Sequence, residues 1–155
     1  MERPSVEQVK AAILSLGDEL AAAEAVGICG SLARGWDFDE HSDIDIFVVV
    51  RDKAPGDETD RHWWRLMQRA LRPFGRDISV LVYTLQGLRS VCNWYVLRLA
   101  AEGLLIFDQG QVAQLFQDIV QAAKAAGLVQ ERIGDALVWT TKGIKLGDVV
   151  EVTVS

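Results

Sequence analysis

Two aspartates stand at the start of an apolar segment and have the spacing that a metal site needs. Asp43 and Asp45 are separated by one residue, and the apolar run 46–50 follows them. Because side chains alternate between the faces of a β-strand, both carboxylates leave the same face of the predicted strand. Magnesium takes oxygen ligands and usually binds one or two carboxylates together with the phosphates of its substrate. The pair therefore predicts a divalent-cation site.

A glycine-serine turn lies upstream of the acidic pair. The apolar segment 25–29 predicts a short buried strand, and Gly30 and Ser31 follow it directly. Glycine allows close approach of the backbone to a ligand, and the N–H groups of a following helical turn would point at anionic oxygens. Ser31 adds a hydroxyl, and Arg34 adds a planar guanidinium that suits phosphate. The turn and the acidic pair together predict a site that binds a triphosphate.

The two motifs, Gly30-Ser31-x-Ala33-Arg34-Gly35 and Ser42-Asp43-Ile44-Asp45, resemble those of the minimal nucleotidyltransferases of the DNA polymerase β superfamily. The resemblance covers about residues 20 to 108. It implies an α/β (α+β) fold, in which a small mixed β-sheet carries helices mainly on one face, the polymerase β-like nucleotidyltransferase fold. It also implies that the nucleotide is bound by Gly30, Ser31, Arg34 and Ser42.

The family uses a third carboxylate one strand further along, and Asp77 is the candidate in this chain. Asp77 is the first residue of the apolar run 77–83, directly after the turn residues 73–76. With Asp43 and Asp45 it would complete a catalytic site for two Mg²⁺ ions, as in-line phosphoryl transfer needs. The resemblance also implies that Asp77 accepts the proton of the acceptor hydroxyl. The alternative is that Asp77 only caps the preceding turn.

Composition and charge limit the classes of protein that fit. The chain has 155 residues, of which 50% are hydrophobic and 25% charged, and this predicts one domain over 1–155, with a motif core and a C-terminal helix and tail at 109–155. The net charge of −6 gives no long-range attraction to nucleic acid, so we expect no direct nucleic-acid binding. No signal-peptide pattern or membrane-length apolar run is present, which favours a cytoplasmic protein that binds no membrane. Cys29 and Cys92 are expected to be small buried side chains.

Capping residues and apolar periodicity predict two helices before Asp77 and one helix after it. Ser5 and Gln8 form a capping box that predicts a helix from about residue 5. A second helix is predicted at about 59–72, with Thr59 as its cap. One long helix is predicted at 85–101.

The C-terminal third carries the clearest amphipathic pattern. We expect Trp94 and Tyr95 in the core, an edge strand at 104–108 and a helix from Gln109. The helix has an apolar stripe that either packs in the core or docks a partner, formed by Val112, Leu115, Phe116, Ile119, Val120 and Ala123. The tail at 135–155 gives no clear pattern.

Four residues near the motifs have both a functional and a structural interpretation. His41 either touches phosphate or base or is a solvated loop residue, and the second interpretation is favoured. Trp36 either stacks on a base or packs in the core or as a lid. Arg76 contacts phosphate or, more commonly for such a residue, pairs with an acid. His62 has no second ligand at metal-binding spacing, so no zinc site is implied.

The resemblance implies an enzyme that moves a nucleoside monophosphate from an NTP, with ATP favoured, onto a hydroxyl of a protein or small molecule. Family members of this size often act as the antitoxin of a two-protein module and adenylylate an all-helical HEPN-type toxin. A homo-oligomer or a hetero-oligomer with such a toxin fits this interpretation. The alternative is a catalytically vestigial binding module that neutralises a partner by contact, although clustered carboxylates repel one another without metal and argue against it. Modification of an aminoglycoside-like drug is a third hypothesis, disfavoured because the chain lacks room for an added helical domain.

Overall fold

The computed structural model describes residues 3–90, 94–134, 136–141 and 154. The predicted helical position of Cys92 and most of the tail after Thr141 lie outside these residues. Within the described part of the chain, no helix combines the length and the apolarity that a membrane crossing requires.

Helices and strands alternate along the described chain. The α-helices are α1 (Val6–Leu14), α2 (Gly30–Arg34), α3 (Glu58–Leu71), α4 (Leu85–Arg89), α5 (Trp94–Glu102) and α6 (Val112–Ala125). The strands are β1 (Ala25–Cys29), β2 (Ile44–Val50), β3 (Ile78–Thr84), β4 (Leu104–Asp108), β5 (Leu128–Ile133) and β6 (Ala136–Thr141). Short 3-10 helices occupy Gly17–Ala22 and Arg72–Phe74.

The strands form a mixed four-stranded sheet in the order β3-β2-β1-β4. β1 pairs antiparallel with β2 and β4, whereas β2 and β3 run parallel. The predicted strand at 104–108 is confirmed as β4, which lies at one edge of this sheet. β5 and β6 form a separate antiparallel pair, and neither strand was predicted from the sequence. The mixed sheet with its helices confirms the predicted fold class.

Both faces of the sheet are covered by helices. On the first face, alternate residues of β2 pack in one core cluster with residues of α1 and α3. On the second face, Phe47 and Val49 pack in another cluster with residues of α5 and α6. The expected layout with helices mainly on one face is therefore wrong, because β2 is apolar on both sides and needs burial on both.

Two helix starts test the capping predictions. The capping box at α1 is confirmed, since Ser5 Oγ accepts from Gln8 N–H and the Gln8 side chain accepts from Ser5 N–H. Thr59 does not cap α3, because that helix begins one residue earlier, after Asp57. The Thr59 hydroxyl instead accepts a hydrogen bond from Ala54 N–H, with 2.9 Å between Oγ1 and N, and stabilises the turn that precedes α3.

The single helix predicted at 85–101 is two helices, α4 and α5. Thr84 caps α4 by accepting from Gly87 N–H, and Ser90 leaves the helical conformation with ψ at 61°. Trp94 and Tyr95 are 53% and 75% exposed, so their predicted place in the core is wrong. α5 packs through a different set of side chains, formed by Val96, Leu97 and Leu99.

The apolar stripe of α6 is core and not a free surface. Its members Val112, Leu115, Phe116, Ile119 and Ala123 are buried in the second core cluster, and Val120 is partly buried. Gly127, with φ at +94°, follows the helix in the left-handed region that favours glycine.

Candidate functional site

The acidic pair lies where β2 begins, on the second face of the sheet. Asp43 is exposed and immediately precedes the strand, and Asp45 is its second residue. Asp45 is partly buried and lies between two neighbours in the sheet, Cys29 of β1 and Ser79 of β3. The central position of β2 therefore gives Asp45 a side-chain neighbour on either side.

The glycine-serine turn lies directly against this pair. Gly30 has φ at +66°, and a Cβ atom added there would lie 2.0 Å from Asp45 Oδ2. Any larger residue would therefore require both a strained backbone and displacement of the carboxylate. The structure thus brings Gly30 against Asp45, although the two residues are 15 positions apart in the sequence.

A cavity of about 360 Å³ opens beside Asp45. Its lining includes polar and apolar side chains, which come from β1, α2, β2, β3 and α5. The polar members that bear on the site are Arg34, Asp45, Ser79, Arg98 and Glu102, and the larger apolar and aromatic ones are Leu81, Tyr83, Tyr95 and Leu99. Asp43 and Asp77 are exposed and lie outside this lining.

The surroundings of Asp45 oppose its negative charge. Burial raises the pKa of the Asp45 carboxyl, and the charge of Asp43 raises it further. A hydrogen bond from Ser79 and the charge of Arg34 act in the opposite direction. Burial, and then the Asp45 charge, raise the pKa of Cys29 to about 12, so this thiol stays protonated. An added cation would relieve the repulsion between the two carboxylates.

Arg34 is held by two carboxylates. Its guanidinium donates to both oxygens of Asp37, with Nη2 at 2.7 Å from Oδ2, and Nη1 lies 3.6 Å from Glu102 Oε2. These contacts, the hydrogen bond to Asp37 first, raise the pKa of Arg34. Arg34 therefore joins α2 to α5, and its predicted contact with phosphate remains a prediction.

The loop before β2 is organised by its own side chains. The Ser42 hydroxyl accepts from Asp39 N–H and donates to the Asp39 carboxylate. Arg76 donates to the carbonyl oxygens of Asp39 and Ser42 and lies 4.6 Å from the centre of the Phe38 ring. Arg76 thus binds backbone carbonyls, whereas the sequence suggested phosphate or an acid. Nucleotide binding by Ser42 stays a prediction.

Of the other residues near the motifs, three are exposed and one is partly buried. His41 and His62 are exposed, in line with the structural interpretation of each. Trp36 is 54% exposed, so it is not packed in the core. Ser31 is partly buried in the first turn of α2.

Asp77 lies next to Asp43 at the edge where both strands begin. Its carbonyl oxygen accepts from Ile44 N–H at 3.0 Å, and the parallel register places Asp77 on the face of Ser79. Among the described residues, no three His, Cys, Asp or Glu side chains are grouped as a metal site. A role for Asp77 as third ligand stays a prediction, whereas Asp43 and Asp45 suit the one or two carboxylates that Mg²⁺ usually takes.

Several residues that line the cavity were not predicted from the sequence to belong to the site. Ser79 shares a strand face with Asp77, so period-two alternation from Asp77 could have found it. Tyr95, Arg98 and Glu102 come from α5, and no local pattern distinguishes them from a solvated helix surface. Their place in the cavity depends on how α5 packs on the second face.

Comparison with known proteins finds one matching family and several solved structures of similar fold. The family described as a nucleotidyltransferase domain matches residues 7–102. No curated protein matches the sequence.

Three solved structures are similar to the chain. A toxin-antitoxin structure with AMP-PNP is 22% identical, covers 75% of this chain and 93% of its own, and has a TM-score of 0.51. The toxin-antitoxin MntA-HepT structure is 20% identical over 77% of this chain and 93% of its own, with a TM-score of 0.47. A tri-AMPylated Shewanella oneidensis HEPN toxin in complex with MNT antitoxin is 18% identical, with the same coverages and a TM-score of 0.46. At these identities, the first likeness concerns the fold alone.

Proposed function

Since the chain belongs to the nucleotidyltransferase domain family and is a nucleotidyltransferase, we propose that it moves AMP from ATP onto a hydroxyl group in a Mg²⁺-dependent reaction. The observation that carries this proposal is the contact between Gly30 and the Asp45 carboxylate. A glycine without room for a Cβ keeps the backbone close to the acid, so one nucleotide can touch both. The acceptor is a hydroxyl of a protein or small molecule, and pyrophosphate is the second product.

The chain's own residues have distinct tasks in this proposal. Asp43 and Asp45 would hold Mg²⁺, which supplies neutralisation of the phosphate charge when it is bound. The backbone at Gly30 and Ser31 would contact the phosphates, and the cavity next to Asp45 has room for part of the nucleotide or the acceptor. Asp77, at the start of β3, would accept the proton of the attacking hydroxyl; a second Mg²⁺ would need this third carboxylate.

We further propose that the acceptor is a HEPN-type toxin, for which this chain is the antitoxin. Support comes from a solved structure of similar fold, with a TM-score of 0.51, which is a toxin-antitoxin structure with AMP-PNP. Trp94 and Tyr95 on α5 and the cavity-lining Leu81 are exposed, and such a partner could cover them.

The enzymatic proposal is tested with purified protein, Mg²⁺ and each of the four NTPs. We expect ATP to raise the melting temperature in the presence of Mg²⁺, because a ligand that binds only the folded state stabilises it by mass action. Radiolabel from α-labelled ATP should move to a co-purified HEPN-type protein. The double variant Asp43→Asn/Asp45→Asn is the control and should show neither effect. Equal label transfer by this variant would contradict the proposal.

The alternative is a binding module that neutralises its partner without catalysis. It is favoured by one observation, namely that Asp43 and Asp77 are exposed and lie outside the lining of the cavity beside Asp45. The same assay separates the two functions. A binding module would bind the partner with equal affinity in the wild-type and double-variant forms and would show no response of the melting temperature to any NTP.

A further inference from the structure

The orientation of the Asp45 side chain is constrained from both neighbouring strands. On the β1 side, Gly30 follows Cys29, the partner of Asp45, and approaches Asp45 Oδ2 so closely that no Cβ fits between them. On the β3 side, Ser79 is the direct partner of Asp45 in the parallel register. Both neighbours and Asp45 line the same cavity.

A hydroxyl at this point in β3 has a specific use. Neighbouring strands lie about 4.8 Å apart, so a short polar side chain can reach a carboxylate on the residue directly paired with it. The register sets Ser79 directly beside Asp45, and the Ser79 hydroxyl lowers the pKa of the Asp45 carboxyl, against the effects of burial and of the Asp43 charge. Arg34, whose charge acts on Asp45, is already engaged by Asp37 and Glu102.

The other residues on this face of β3 cannot replace Ser79. Leu81 and Tyr83 also line the cavity, but they stand opposite Phe47 and Val49, further along β2. Leu81 offers no donor at all, and Asp77 would repel the carboxylate. Ser79 is thus the neutral donor that the register sets directly beside Asp45.

We propose that Ser79 is a positioning residue, whose hydroxyl fixes the Asp45 carboxylate against Gly30 so that one of its oxygens stays directed at the bound divalent cation. The inference rests on the proposed function, since it assumes that Asp45 is a metal ligand. In this proposal Ser79 acts on the cation through the Asp45 carboxylate. Residues that orient a metal ligand commonly change metal affinity by 10- to 100-fold when they are removed.

The test measures binding of Mn²⁺, as a probe for Mg²⁺, by the loss of the free-ion EPR signal, in the full chain without nucleotide. We expect Ser79→Ala to weaken Mn²⁺ affinity by about 10-fold. Ser79→Thr keeps the hydroxyl and should stay within about twofold of wild type, and Ser79→Cys, a weak donor of similar size, should fall between them. Ser15→Ala makes the same change in an exposed hydroxyl at the end of α1 and should have no effect.

A second readout separates positioning from a merely structural effect. The Mg²⁺ concentration for half-maximal activity should rise about 10-fold in Ser79→Ala, whereas the KM for ATP at saturating Mg²⁺ should change little. Unchanged Mn²⁺ affinity in Ser79→Ala, or equal damage in Ser79→Thr, would overturn the inference and leave the proposed function intact. Mn²⁺ binding that is absent in wild type, or undiminished in Asp45→Asn, would overturn the metal site and the inference together.

Discussion

The two faces of β2 show how one strand serves both a core and a site. On the first face, Ile44, Ile46 and Val48 are completely buried and pack with residues of α1 and α3. On the second face, Phe47 is equally buried, yet Asp45, one step earlier on the same face, borders the cavity. The first face is therefore apolar along its whole length, whereas the second changes from core to site within two residues.

This difference places the acids on a rigid element at the cost of unfavourable electrostatics. Phe47 contacts Phe116 of α6, with ring centroids 5.7 Å apart, and this packing fixes the strand immediately next to the site. The same position removes water from Asp45 and raises its pKa. The buried neighbours of a site at a strand end hold its side chains in position. The burial and repulsion of its carboxylates lower the stability of the folded protein when no cation is bound.

The largest expected effect is a loss of activity from a change on the second face of β2. Asp45→Asn should lower AMP transfer by about 1,000-fold, because a catalytic cation supplies several kcal/mol of charge stabilisation in the transition state. The measurement is the initial rate of label transfer at saturating ATP. Asp52→Asn changes an exposed acid beyond the other end of β2 and should keep the wild-type rate. A loss of less than tenfold in Asp45→Asn would remove Asp45 from the catalytic site.

The reciprocal change on the first face should affect stability and leave the site unchanged. Ile46→Ala should lower the free energy of unfolding by about 3 kcal/mol, because it leaves a cavity in a fully buried cluster. Urea denaturation measures the loss. Mn²⁺ affinity per folded molecule should stay at the wild-type value. A parallel fall in affinity would mean that the two faces are coupled through β2.

Two glycines with similar backbones differ in what a side chain would meet. Gly30 and Gly56 have φ at +66° and +75°, but an added Cβ meets Asp45 at Gly30 and nothing within 4 Å at Gly56. Gly56→Ala should therefore cost only the left-handed strain of about 1 to 2 kcal/mol. Gly30→Ala should cost more and should also weaken Mn²⁺ affinity. Denaturant titration of both variants measures the difference, and equal losses would refute the close contact.

The smallest effect concerns the pH dependence of stability without metal. A raised pKa of Asp45 in the folded state means that protonated Asp45 contributes stability below its unfolded pKa of about 3.9. That contribution is lost as the pH rises through the folded pKa. Asp45→Asn cannot ionise, so its melting temperature should exceed that of wild type at pH 7 and converge with it in acid. Added Mg²⁺ should narrow the gap at pH 7.

Local signals predicted much of the fold and part of the site. The capping box, the strand at 104–108 and the buried stripe of α6 each depend on neighbours in sequence or on one helical period. The exposure of Trp94 and Tyr95 could not be predicted this way, because an apolar residue on a short helix is buried only if another element covers it. The pairing of β5 with β6 also has no strong local signal.

The sequence by itself determined the chemistry and the alternation of elements, because motif spacing and side-chain period are properties of the local chain. It specified two acids on one strand face and a glycine-serine turn directly after the preceding strand. Only the tertiary structure decided that Ser79 stands beside Asp45, that Arg34 is tied to Asp37 and Glu102, and that α5 forms a wall of the cavity. Strand register and helix docking make these contacts, and both are set by burial across distant segments of the chain.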